Sequence, residues 1–215
     1  MLFGSAAKHA KQHYNGSDDL DRVYFHDILS FASLDGYNVV NDGTSAINPY
    51  GNSVNILTGN LTDNDSVIRP KYPYVHMEYG SSIDFSLVLA SSVADIEIYM
   101  IMCKTQLSAP PAVTNEYWGF KMINADISAI CCAGAAETTT DTTYDRGGGQ
   151  DRQTFKAFLL YPRCKYYVNG VLVATHTTNV PFSSNVGYPH IICRTKAAAS
   201  KSYTFERIAF SSKLY

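Results

Sequence analysis

Apolar and polar positions alternate with a period of two along most of the chain after residue 20. Ile83, Phe85, Leu87 and Leu89 interleave with Asp84, Ser86, Val88 and Ala90. Ile96, Ile98, Met100 and Met102 interleave with Asp95, Glu97, Tyr99 and Ile101, and Ile127, Ala129, Cys131 and Ala133 with Ser128, Ile130 and Cys132. A period of two lays one face of a strand on a core. In the second run the other face also turns apolar halfway along, which predicts a strand passing beneath a loop or a partner. Strand-like runs also cover Ser53–Thr58, Tyr74–Tyr79, Tyr117–Ile123, Thr154–Leu160, His190–Thr195 and Tyr203–Ser211.

Asn169-Gly170 supplies the two positive-φ residues of a type I′ turn, predicting a hairpin over Lys165–Ala174. A two-residue turn sets Val168 against Val171, Tyr167 against Leu172, and Tyr166 against Val173. In the last run Tyr203 and Phe205 share one parity while Ile208 and Phe210 share the other, so a bulge is expected near Glu206-Arg207. Long loops are expected at Leu107–Asn115, with Pro110-Pro111, and at Thr138–Arg152, with Gly147-Gly148-Gly149. About a dozen short strands, turn residues between them and no sustained helical period predict an all-β, jelly-roll β-sandwich over residues 21–215. Residues 1–20 differ: Ser5–His13 favours a short helix stopped by Asn15-Gly16. Too short to be stable alone, it is read as an N-terminal arm.

The chain has 215 residues with 17 Lys+Arg against 19 Asp+Glu, a net charge of −2. No basic excess exists to release counterions from a phosphate backbone, so nucleic acid is not expected as a partner. No apolar run approaches the roughly 20 residues of a membrane helix, and no signal-peptide pattern opens the chain. The five cysteines (Cys103, Cys131, Cys132, Cys164, Cys193) show no Cys-x-x-Cys spacing and are read as buried free thiols, with a disulfide or zinc site as the alternative.

Candidate chemistry is sparse. Asp95 and Glu97 are two apart on a predicted strand, about 6.6 Å along one face. Paired carboxylates hydrolyse glycosidic bonds at separations of about 5–9 Å. Sandwich-fold glycosidases carry Glu-x-Asp-x-Glu on one strand, and Val93 stands where the first Glu would be. No activity is therefore expected. Asp141, Asp145 and Asp151 match no calcium-loop spacing. His9 and His13 share one side of the arm helix without a third ligand nearby, and His76, His176 and His190 read as structural. Neither catalytic residues, a metal nor a cofactor is expected. Trp118, the only Trp, is read as a core aromatic or a stacking platform, and Tyr167 and Leu172 as binding positions on the hairpin. Phe3, His9, His13 and Tyr14 are the contacts expected of the arm.

Two stretches resemble structural proteins of tailed phages and related viruses. Lys8–Asp18 is similar to the His-rich, Gly-Ser-Asp leader of fibre and head-appendage proteins. Ile127–Gly134, Thr138–Asp141, the Tyr166–Ala174 hairpin with the following Thr178-Asn-Val-Pro181, and Phe205–Phe210 resemble concanavalin A-like (laminin G-like) jelly rolls of virion proteins. The resemblance implies a virion structural protein, assembled in the host cytoplasm: a capsid decoration (cement) or head-appendage protein, homotrimeric or held in a lattice on the major capsid protein or other virion subunits. Its alternative is a tail-fibre receptor-binding or carbohydrate-binding, lectin-like module with a glycan as ligand.

Overall fold

The computed structural model describes residues 25–29, 33–51, 53–71, 75–76, 80–90, 93–145, 152–182 and 186–212. The arm, residues 1–20, and its expected contacts Phe3, His9, His13 and Tyr14 lie outside these, as does Asp151. The described strands are β1 (Phe25–Leu29), β2 (Tyr37–Asn41), β3 (Ala46–Tyr50), β4 (Ser53–Leu57), β5 (Asp65–Pro70), β6 (Val75–His76), β7 (Ser81–Ala90) and β8 (Ile96–Cys103). They continue with β9 (Tyr117–Ile123), β10 (Asp126–Ala133), β11 (Ala136–Asp145), β12 (Gln153–Leu160), β13 (Arg163–Val168), β14 (Val171–His176), β15 (Val186–Thr195) and β16 (Ser202–Ser212).

The strands form two sheets. One runs β14-β13-β12-β7-β16-β4-β3, with β1 also on β16; the other runs β11-β10-β9-β8-β15-β5-β2, with β6 also on β15. Every pairing is antiparallel. Connections that cross between the sheets make this an all-β jelly-roll sandwich, as the periodicity predicts. The inward parity of each run fills one core. Ile83, Phe85 and Leu87 of the first sheet meet Ile98, Met100, Trp118, Phe120 and Ile127 of the second. Phe120 lies edge-on to Phe155 (ring centroids 5.4 Å apart) and to Tyr166 (5.6 Å). Such edge contacts add to the apolar burial of each ring.

The bulge expected in the last strand is present. The register of β16 on β7 slips between Thr204 and Phe205 and again between Phe205 and Arg207. The slip returns Ile208 and Phe210 to the core that already holds Tyr203 and Phe205. The hairpin is also present, with Asn169 at φ 51° and Gly170 at φ 81°. Beyond the first two pairs, however, Tyr166 opposes Ala174, not Val173, because β13 and β14 slip by one residue there. The loop expected at Thr138–Arg152 is corrected as well: its first part is β11, paired along β10. An edge strand with Thr on both faces has no apolar alternation to betray it, although β-branched Thr favours extended backbone.

Candidate functional site

The outer face of the second sheet is not simply polar. Tyr99, Ile101, Cys103, Tyr117, Ile130, Cys132, Val67 and Ile192 form a second buried cluster there, with Leu107 packed on it from the β8–β9 loop. This is the predicted strand under a loop. The loop is fixed from several sides. Leu107 donates its N–H to His190 Nε2 at 3.0 Å and its carbonyl accepts from the Arg69 guanidinium. The Val113 carbonyl accepts from Cys132 Sγ at 3.1 Å, and Lys104 N bonds the Glu116 carbonyl at 2.9 Å. His190 is fully buried, with Nδ1 at 2.8 Å from the Tyr188 carbonyl. Because Nε2 must accept from Leu107, the proton sits on Nδ1, and burial pushes the imidazole down to about 3.

Polar side chains border this cluster as a belt. Glu97, Arg194 and Asp65 stand directly opposite one another on β8, β15 and β5. Asp65 is held by Arg194 through two bonds, Nε–Oδ1 at 2.7 Å and Nη2–Oδ2 at 2.8 Å, a bidentate geometry that fixes both groups. Those bonds, with opposing burial, hold the guanidinium above its ordinary value. Tyr99 donates its hydroxyl to Glu97 Oε1 at 2.6 Å. Across the sheet, Glu137 accepts from Tyr117, from Lys121 Nζ at 3.0 Å and from Thr139 Oγ1 at 2.7 Å. Burial alone would raise the Glu137 carboxyl, but these donors outweigh it and hold it below the usual carboxylate range. Both tyrosine hydroxyls are pushed up by burial and by the carboxylates they serve. The belt is thus a fixed row of charged and neutral partners, partly open to solvent at Lys121 and Glu137, whose side chains are 17 % and 20 % exposed.

Beneath the belt, Gly119 adopts φ +147°, and a Cβ there would stand 2.2 Å from the Met100 carbonyl oxygen. Only glycine fits, because the backbone of β8 at Met100 and Ile101 fills the space a side chain would need. Sequence reading found Glu97 but not Asp65, Lys121, Glu137 or Arg194. Their partners lie far along the chain, so no local spacing marks them.

Of the other expected site residues, Trp118 is fully buried in the main core, its Nε1 without a partner among the described residues. The core reading holds, and no surface ligand reaches the ring. Tyr167 and Leu172 pair across the hairpin on the outer face of the first sheet, with Leu172 half exposed. Asp95 is not on the strand face with Glu97: it sits in the preceding turn at φ 56°, and Val93 packs on the core. Cys131 and His176 lie 3.2 Å apart, yet burial pushes the thiol up to about 11, so no thiolate nucleophile forms. All five cysteines are buried and free. Among the described residues no three His, Cys, Asp or Glu side chains group as metal ligands.

No protein-family model matches the chain, and no curated protein matches it. Solved structures do. A Bacillus licheniformis β-glucanase superposes with a TM-score of 0.64 at 12% identity, over 88% of this chain and 98% of that one. A prokaryotic β-1,3-1,4-glucanase (lichenase) from a mouse hindgut metagenome gives 0.64 at 12% identity, over 87% and 99%. The potassium-bound carbohydrate recognition domain of Emp46p gives 0.61 at 7% identity, over 85% and 91%. The fold is therefore the concanavalin A-like jelly roll. The expectation of a protein without enzymatic activity is corrected by these superpositions: β-glucanases share the architecture across nearly their whole length, so a missing glutamate at position 93 is no ground for excluding catalysis.

Proposed function

We propose that this domain binds carbohydrate at the polar belt that borders the covered outer face of β8, β9, β10 and β15. The observation that carries the reading is the belt itself. Lys121, Glu137, Tyr117, Tyr99, Glu97, Arg194 and Asp65 are held by hydrogen bonds among themselves, with Lys121 and Glu137 partly open to solvent. Sugar hydroxyls are donors and acceptors at once, and a prearranged row of ions and hydroxyls engages them without first ordering its own side chains. A shared fold does not by itself give a function, but glucanases and a carbohydrate recognition domain among the superposed structures support the same ligand class.

The test is calorimetric titration with mixed-linkage β-glucan oligosaccharides. Lys121→Ala should weaken binding about tenfold, the effect of losing roughly one charge-assisted hydrogen bond. Absence of saturable binding to a panel of neutral and acidic oligosaccharides would end the reading. A second reading is hydrolysis of the bound glycan. It is favoured by Glu97 and Asp65, which face one another across Arg194 on strands two apart, about 10 Å between backbones. New reducing ends that appear with the wild type and vanish with Glu97→Gln would establish it. The setting proposed for binding is a virion surface, a receptor-binding role supported by the leader and hairpin resemblance. Deleting residues 1–20 should then leave sugar binding intact and abolish attachment to particles.

A further inference from the structure

We propose that the free edge of the first sheet, strand β14, is the contact surface between two copies of this chain, which join antiparallel across a two-fold axis so that one sheet continues into the other. The contact goes beyond the carbohydrate reading and stands apart from the belt, which lies on the second sheet.

A terminal strand presents a row of backbone N–H and C=O groups that accepts another strand unless something guards it. The sandwich ends in four such strands, β14 and β3 in the first sheet and β11 and β2 in the second. Three of them are guarded or short. β3 carries Pro49, which has no N–H to give. β11 carries Glu137, Asp141 and Asp145, and the Asp141 and Thr142 side chains accept from its amides at Thr143 and Tyr144. β2 is five residues long and runs into Asp42. β14 has none of these devices. Residues 166–193 contain no Asp, Glu, Lys or Arg, and Val171–His176 contains no Pro. Among the described residues β14 pairs with β13 and with no strand on its other side. Its one-residue slip turns Val173 onto the core and leaves Ala174–His176 in regular register with Cys164–Tyr166.

Apolar surface accompanies this edge. Phe158 and Tyr167 meet edge-to-face on the outer face, with centroids 5.6 Å apart, and Tyr167 stands opposite Leu172. An apolar row thus crosses the sheet and stops at its margin, where Val171 and Leu172 are half exposed. A strand laid beside β14 covers that margin.

Charge and pairing select a second copy as the occupant. Two β11 edges would bring acids together in a chain whose net charge is already −2, whereas two β14 edges meet without any charge. About a two-fold at Thr175, this threonine stands beside its own copy and Ala174 beside the copy's His176. Threonine pairs across strands are stabilising, and β-branched residues suit the extended backbone. An isologous contact of this kind closes at two copies. The six residues of β14, at about 3.3 Å each, make a contact about 20 Å long. That is small for a specific interface, so a dissociation constant on the order of 10–100 μM is expected.

The test is sedimentation of the full chain between about 2 and 500 μM. The wild type should pass from monomer to dimer mass across this range, and amide exchange in Val171–Thr177 should slow at the high end. Leu172→Lys/Thr175→Lys places like charges opposite one another across the axis and should raise the dissociation constant at least about tenfold. Tyr50→Lys/Leu61→Lys makes the same charge change at two other exposed apolar positions and should change it less than about threefold. Melting curves check that both variants fold; Thr175→Lys alone serves should the first fail to. Mixing Leu172→Lys/Thr175→Lys with Leu172→Glu/Thr175→Glu should restore the dimer, because opposite charges then meet at the same positions. The proposal is overturned by a chain that stays monomeric throughout, by a trimer or an open series of larger species, by equal losses in the two lysine variants, by β14 amides that exchange alike in monomer and dimer, or by a mixture that does not associate. Sugar binding and its loss in Lys121→Ala report on the belt alone and leave these outcomes unchanged.

Discussion

His190 makes stability depend on pH in a way that can be isolated. Its ring is fully buried, with Nε2 accepting from Leu107 N–H and Nδ1 facing the Tyr188 carbonyl. A second proton would place a charge in an apolar cluster, remove the acceptor that pins the β8–β9 loop, and face the Arg69 guanidinium. The folded-state value is therefore depressed, to about 3 from 6.5. A depressed base binds its proton in the unfolded chain first. Its contribution is complete above about pH 6.5 and is lost as the pH falls toward 3, at up to about 1.4 kcal/mol per pH unit. Between pH 7.5 and 4.5 this amounts to about 2–3 kcal/mol, or roughly 4–12 °C in Tm for a chain of this size. Carboxylates contribute over the same range, so the informative quantity is the difference from His190→Gln, whose amide oxygen can accept from Leu107 but does not titrate. Urea unfolding at half-unit pH steps should give a wild-type curve that falls below that of the variant, after alignment at pH 7.5, by those 2–3 kcal/mol at pH 4.5. Parallel curves for the two proteins would refute the burial argument.

Three further outcomes follow from the packing. Arg194→Ala strands the buried Asp65 carboxylate and should cost about 3–5 kcal/mol in urea unfolding; Asp65→Asn in the same chain should recover part of the loss, and a cost under about 1 kcal/mol would contradict the pairing. Gly119→Ala forces a side chain onto a φ of +147° and against the Met100 carbonyl, for a loss of at least about 3 kcal/mol; a Tm within about 2 °C of wild type would exclude that clash. Trp118 is fully buried and is the only Trp, so its emission should be blue-shifted, resist iodide quenching and stay constant on saturation with sugar. Efficient quenching would place the ring elsewhere.

Strand alternation is a local property, and the sequence by itself determined much of the architecture through it: the inward parity of β7, β8 and β10, the Asn169-Gly170 turn, and the phase slip that marks the β16 bulge. Steric preferences of one or two residues and a repeat of two suffice for these. It also announced that β8 passes beneath a loop or a partner, because Tyr99 and Ile101 need cover on the second face; the structure shows the loop. Where both faces are polar, as in the threonines of β11, or where one residue slips, as at Ala174, alternation is silent. Pairing with a neighbour then decided the structure. The site depended even more on tertiary structure. Glu97 was visible beside Asp95, but the turn at Asp95 separates them, and the real neighbours of Glu97 are Tyr99 and Arg194. Arg194 reaches Asp65 across 129 residues, and Tyr117 reaches Glu137 across 20. Such partners are chosen by sheet order, which brings β15 beside both β5 and β8, and no spacing along the chain encodes that order.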